Sequence, residues 1–292
     1  MSTYVQYVVD SVGLGCIYAL MALSLALLFG VMGLMNFAFG ELIMIGGFTV
    51  YYLRDQPALL ILIVTVLVVV VASVLQELLA FRPVRHASPT TLLITSFALS
   101  IGLQYAVRAT VGPIAKPVPP IAFLSDQFEI AGVRVQWLDV VTAIATVVLV
   151  FGLTLLLTRT MLGIHLRAAT EDFTMAGLVG VRANVVIPAA FALTGILAGV
   201  CAFLYVSGSG SVSYQMGANP VLVAFVGVAV GGLGSLYGAA IGGFLLGASL
   251  TILQATLPVE WSSYTPALAY AGVIAIFLLR PQGLIARRTT RV

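Results

Sequence analysis

Hydrophobic positions run in blocks along this chain and do not alternate. Apolar stretches fall at roughly 12–32, 34–53, 58–80, 90–110, 138–158, 186–206, 220–233, 236–257 and 264–280. A helix needs about 20 such residues to cross a bilayer, since each residue advances it by about 1.5 Å. The stretch at 220–233 is shorter and ends in Gly-Gly-Leu-Gly-Ser at 231–235. That pattern predicts a short or broken helix whose free backbone groups face protein or water. A transmembrane β-barrel would alternate polar and apolar residues, and stretches such as 59–72 do not. The expectation is an all-α polytopic integral membrane protein of eight or nine transmembrane segments, one domain over residues 1–292.

Polar positions mark the connections. One, at about 111–137, holds Lys-Pro-Val-Pro-Pro at 116–120 and then an alternating segment at 128–135, which predicts a small hairpin or a helix lying on the surface. Another, at about 159–185, has good helix formers over 166–178 with apolar residues at helical spacing, and it is too polar to span. A short amphipathic helix at the membrane face is predicted there. Glycines four apart, at 195/199, 227/231, 238/242 and 243/247, predict close helix packing. Ile-Gly-Gly-Phe occurs at 45–48 and again at 241–244, a possible trace of a repeat.

Composition strengthens the membrane reading: 61% of the 292 residues are hydrophobic and only 8% charged, against about 25% charged in soluble domains. Mean hydropathy is +1.14. The net charge of +3 is small and its basic residues are scattered, which argues against nucleic-acid binding. Nine of the thirteen basic residues (Arg82, Arg85, Arg159, Arg167, Arg182, Arg280, Arg287, Arg288 and Arg291) fall on one side if the segments alternate. The positive-inside rule then places the N-terminus outside and the C-terminus in the cytoplasm, which requires an odd number of crossings. The first residues lack the basic start and cleavage site of a leader, so the first segment is expected to remain in the mature protein. Cys16 and Cys201 lie in separate apolar segments and read as small helix residues.

Catalytic constellations are missing from the pattern. His86 and His165 have no second ligand at metal spacing, and neither a Gly-x-Ser-x-Gly elbow nor a His-Glu-x-x-His pair occurs. Lys116 is the single lysine and lies in Gly-Pro-Ile-Ala-Lys-Pro, so the chain has no Walker A motif. The reading is not an enzyme, with no metal and no cofactor of its own. Asn36 and Glu41 are the exception to an apolar run from 12 to 53, in which Glu41 is the one charged side chain. Glu77 lies near the end of the third segment. A carboxylate in hydrocarbon costs several kcal/mol unless paired, wet or neutralised.

The motifs now carry a resemblance. Asn-Phe-Ala-Phe-Gly-Glu at 36–41 resembles the Asn-Phe-Ala-His-Gly-Glu signature of the LivH-type membrane subunits of branched-chain amino-acid ABC importers, with Phe39 in the place of the usual His. Gly-Gly-Leu-Gly-Ser-Leu-Tyr-Gly at 231–238 resembles the family's late Gly-Gly-x-Gly-Ser-x-x-Gly segment. Arg-Ala-Ala-Thr-Glu-Asp at 167–172 with Met-Ala-Gly-Leu-Val-Gly at 175–180 resembles its cytoplasmic loop, and Arg-Pro-Gln-Gly at 280–283 its ending. The resemblance implies a bacterial inner-membrane permease subunit paired with a second, LivM-like permease. Two cytoplasmic ATPases carrying ATP and Mg, and a periplasmic substrate-binding protein, would complete it.

Candidate residues come from both lines. Asn36, Glu41, Gly231, Gly232, Gly234 and Ser235 are candidates for the translocation path or for a helix break. Glu41 either contacts substrate or water, or joins Asn36 in satisfying free backbone at the break. The 231–243 glycines either pack helices or line a site. Arg167, Glu171, Asp172, Met175 and Leu178 are candidates for ATPase coupling, with Leu166 and Val179 as apolar anchors; the bland alternative is a solvated loop face. Importers of urea or short amides, and a stand-alone secondary transporter or channel, remain open as alternatives.

Overall fold

The computed structural model describes residues 2–33, 36–85, 87–130, 133–171, 173–178, 180–232 and 234–279. The first helices are α1 (Ser2–Met32), α2 (Phe39–Tyr52), α3 (Ala58–Gln76) and α4 (Pro89–Val111). Beyond Gln76 the α3 ladder continues through a π-turn at Glu77–Phe81 and a 3-10 turn at Arg82–Val84. Then come β1 (Lys116–Pro117), α5 (Ala122–Ser125), β2 (Gln127–Ile130), β3 (Val133–Gln136), α6 (Trp137–Arg159), α7 (Met161–Glu171) and α8 (Phe173–Leu178). The chain goes on through α9 (Ala183–Ser209), β4 (Ser211–Val212), α10 (Ala218–Gly231), α11 (Leu236–Thr256) and α12 (Thr265–Leu279).

Each of the nine apolar stretches forms a helix, but they differ in reach. Six are long and apolar enough to cross a membrane: α1, α3 with its two turns, α4, α6, α9 and α11. α2, α10 and α12 have 14, 14 and 15 residues. At about 1.5 Å per residue these reach little more than about 20 Å, short of a hydrocarbon core of about 30 Å. The stretch at 34–53 loses its first turn because Gly33, at φ +69°, ends α1 with its N–H on the Phe29 carbonyl (2.8 Å). The connection at 111–137 contains the hairpin alternative, β2 pairing antiparallel with β3. The helix predicted over 166–178 is found as α7 and α8, on either side of residue 172, and begins earlier, where Thr160 Oγ1 accepts from Gly163 N (3.1 Å). Asp172, His86, Val179, Leu233 and residues 280–292 lie outside the described residues.

Chain contacts divide the protein into two compact units, the division falling inside α1, α6 and α10. One unit comprises residues 27–120 and 148–221. Its centre is α3 against α9, two helices brought together by glycine: a Cβ at Gly195 or Gly199 would stand 2.7 Å from Val70 Cα or Val66 Cα. Ser73 Oγ donates to the Phe191 carbonyl at 2.7 Å, so the contact is also hydrogen-bonded. α2 packs beside them, Gly46 against Ala202. β1 pairs with β4 at one end, and Gly210, at φ +63°, closes α9.

The other unit comprises residues 1–26, 121–147 and 222–292. Gly227 meets Gly243, and Gly231 meets Gly238, so α10 and α11 touch backbone to backbone. Gly243 and Gly247 in turn admit Tyr18 of α1. The β2–β3 hairpin is tied to α1 by Gln6, whose Nε2 donates to the Arg134 carbonyl (2.8 Å) while its Oε1 accepts from Arg134 N (2.9 Å). The glycine spacings of the sequence are thus packing contacts. Gly199→Ala is expected to lower the thermal midpoint of the detergent-solubilised protein through about 1–3 kcal/mol of overpacking. Gly152→Ala, where a Cβ meets nothing within 4 Å, is expected to leave that midpoint unchanged or raised.

A buried polar node at a helix break

Between α1 and α2 the chain leaves the helical path inside the protein. Backbone groups there have no water to turn to, and side chains take its place. Asn36, 1% exposed, turns back on its own chain: its Oδ1 accepts from Ala38 N at 2.9 Å. Its carbonyl accepts from Phe39 N at 3.3 Å, and the Ala38 carbonyl from Glu41 N at 3.2 Å. Gln76, at the end of α3 and 5% exposed, donates from Nε2 to the Ala38 carbonyl at 3.2 Å. Both sides of the Ala38 peptide unit are therefore held by side-chain amides.

Glu41 does something different. It is 2% exposed and sits in the first turn of α2, where a negative charge suits the helix dipole. Its carboxylate does not cap the break; it reaches across to α4, where Ser100 Oγ and Gln104 Nε2 each donate to Oε1 at 2.8 Å. Gln104 Nε2 also lies 3.3 Å from Ser100 Oγ. Among the described residues the one ion pair is Arg54–Asp55 at 3.8 Å, so neutral donors hold Glu41. The stacked rings of Phe37 and Phe97, 4.0 Å between centroids, close the same contact of α4 with the break.

Four buried polar atoms around this node make no hydrogen bond within the protein: Asn36 Nδ2, Gln76 Oε1 and both carboxylate oxygens of Glu77. Each such atom carries a penalty of about 1–3 kcal/mol. Glu77 opens the π-turn, and Arg85 Nη1 beyond it is likewise buried and unbonded. Ser100, Gln104 and Gln76 were not among the candidates from sequence. Ser96, Ser100 and Gln104, spaced four apart on an apolar helix, were the readable signal.

The remaining candidates stand elsewhere. Gly231, Gly232, Gly234 and Ser235 belong to the other compact unit, at the turn from α10 to α11. Gly232 and Gly234 adopt φ +108° and +99°, and Ser235 Oγ caps α11 by accepting from Gly238 N at 3.0 Å. Arg167 is exposed on α7, and Glu171 is that helix's last residue. Met175 and Leu178 of α8 are 62% and 79% exposed. Leu166, expected to join them as an anchor, is fully buried in its own subunit, because helical spacing turns it to the opposite face.

The fold and the node define a multi-pass membrane protein with a carboxylate held at a helix break by neutral donors. Residues 7–279 match the profile of the branched-chain amino acid transport system permease component, and the chain belongs to that family. It is 30% identical to the high-affinity branched-chain amino acid transport system permease protein BraD of Pseudomonas aeruginosa, over 97% of this chain and 96% of that one. It is 29% identical to the corresponding LivH of Escherichia coli, with the same coverage of both chains. A probable LivH of Methanocaldococcus jannaschii is 29% identical over 91% of this chain and 86% of its own. No solved structure matches the chain.

Replacing Gln104 by Leu removes one of two donors to a buried carboxylate, and a loss of about 1–3 kcal/mol is expected. In a Glu41→Leu background the same change is expected to cost less than half as much. Thermal midpoints of the four purified proteins provide the cycle that checks this coupling.

Proposed function

We propose that the chain is the membrane subunit of an ATP-driven importer of branched-chain and other hydrophobic neutral amino acids. It lies in a bacterial inner membrane with its N-terminus outside and its C-terminus in the cytoplasm. It pairs with a second, LivM-like permease; two cytoplasmic ATPases bind below, and a periplasmic binding protein delivers substrate from above. The chain is not an enzyme: ATP and Mg belong to the ATPases.

The observation that carries this reading is the placement of α7 and α8. They are too polar to span, yet α8 exposes Met175 and Leu178, and α7 exposes Met161 and Ile164. Apolar side chains exposed on short helices beside a membrane are the usual form of a docking surface. Thr170 of α7 lies against Gly30 of α1, where a Cβ would stand 3.2 Å from its Cγ2. Gly30 is three residues before Gly33, where the break begins. A push on α7 by an ATPase is thereby delivered next to the buried node. Closure of the ATPase pair switches the pathway from outward- to inward-facing, and Asn36 and Glu41 lie beside that path.

Leu178→Glu, and separately Glu171→Arg, are expected to lower ATP-driven leucine uptake by proteoliposomes of the full complex at least tenfold. Membrane insertion of the permease, measured by immunoblot, stays normal. Wild-type coupling in both variants overturns the docking role. Uphill uptake by the permease reconstituted alone overturns the importer reading in favour of a secondary transporter.

A further inference from the structure

The importer reading leaves open where in this chain the substrate is held, and the buried node answers that question. The N-terminal half of α2 is its interior end: Ala38, Phe39 and Leu42 are fully buried, while Tyr52 at the other end is 66% exposed. The N-terminus of α10 meets it there, since a Cβ at Gly40 would stand 2.9 Å from the Gly217 carbonyl oxygen. The positive dipole end of α2 is therefore buried, whereas the first residues of α10, Ala218 and Asn219, are exposed. The first-turn carboxylate of Glu41 is already engaged by Ser100 and Gln104.

Asn36 and Gln76 add atoms of defined chemistry. Ala38 N must be met by an oxygen and the Ala38 carbonyl by an N–H, so the two bonds at 2.9 and 3.2 Å fix which amide atom remains on each side chain. Asn36 keeps a donor, Nδ2, and Gln76 an acceptor, Oε1; both are buried and unbonded within the protein. Each is attached to an amide whose other atom touches Ala38, so both lie close to that residue. One donor from Asn36, before the N-terminus of α2, and one acceptor from α3 thus flank Ala38.

We propose that this node binds the head group shared by all α-amino acids, the substrate carboxylate at Asn36 Nδ2 and the N-terminus of α2, its ammonium at Gln76 Oε1. The proposal rests on the importer reading and names the substrate-holding residues within it. Such a site reads the zwitterion and not the side chain. Both atoms are sealed from solvent here, so substrate reaches them in a conformation in which α3 draws back from Ala38. No covalent step is involved.

The test uses the permease pair with its ATPases in nanodiscs, without binding protein, irradiated with millimolar photo-leucine, the diazirine analogue of leucine. Peptide mass spectrometry is expected to find label on residues 36–48 or 69–81 of this chain. Excess leucine or glycine is expected to suppress it at least tenfold, whereas 4-methylpentanoate and 3-methylbutylamine, each lacking one charge of the zwitterion, leave it within twofold. Asn36→Asp, which puts a carboxylate where the substrate's would lie, and Gln76→Leu are each expected to lose at least tenfold of the label while the complex stays assembled by size exclusion. Label confined to other segments, equal suppression by the one-charge analogues, or wild-type labelling of both assembled variants overturns the site. Should a variant fail to assemble, the wild-type map and competition decide. Leucine uptake by the wild-type complex with its binding protein separates the two readings. Uptake with label elsewhere sinks the head-group site alone, and no uptake of any neutral amino acid sinks the importer reading first.

Discussion

The structure depends on one constraint: where a helix stops inside the membrane, something other than water must satisfy the backbone it leaves behind. The connection between α1 and α2 meets that constraint with Asn36 from its own segment and Gln76 from α3, both clasping Ala38. Glu41 then ties the first turn of α2 to α4 through two neutral donors. Four elements thus converge on a stretch of chain that could not otherwise be buried. The carboxylate in the apolar run is tolerated because it is fully enclosed and hydrogen-bonded, not because a cation answers it.

Glycine has the complementary role. Lipid tails are as apolar as the helices, so close backbone approach replaces hydrophobic drive as the source of cohesion. Gly195 and Gly199 set α9 against α3 in one unit, and Gly227, Gly231, Gly238 and Gly243 set α10 against α11 in the other.

Much of this was legible from residue order. Blocks of apolar residues located nine helices, since membrane helices need only length and the absence of charge. Glycine spacing marked the packed faces, and the segment at 128–135 left a hairpin and a surface helix open, of which β2 and β3 form the hairpin. Asn36 and Glu41 stood out because charge and amide are rare in hydrocarbon. Their different tasks did not, because nothing local says whether a carboxylate caps its own helix or crosses to another. Ser100, Gln104 and Gln76 went unseen for the same reason: neutral polar residues barely disturb an apolar pattern, and what makes them functional is a partner 38 to 63 positions away. Leu166 was assigned to the wrong face for want of the packing partner that buries it.

Polar contacts hold α4 to its unit. Most of its length is exposed; besides packing on the π-turn at Glu77–Phe81, it meets the break and α2 through Ser100, Gln104 and the ring of Phe97. Hydrogen bonds to a carboxylate in a medium of low dielectric constant are stronger than the same bonds in water. The tether is therefore strong as long as water is kept out. It is loosened by wetting: water reaching Glu41, as when the surrounding lipid thins, competes for the same oxygen and frees the helix to swing.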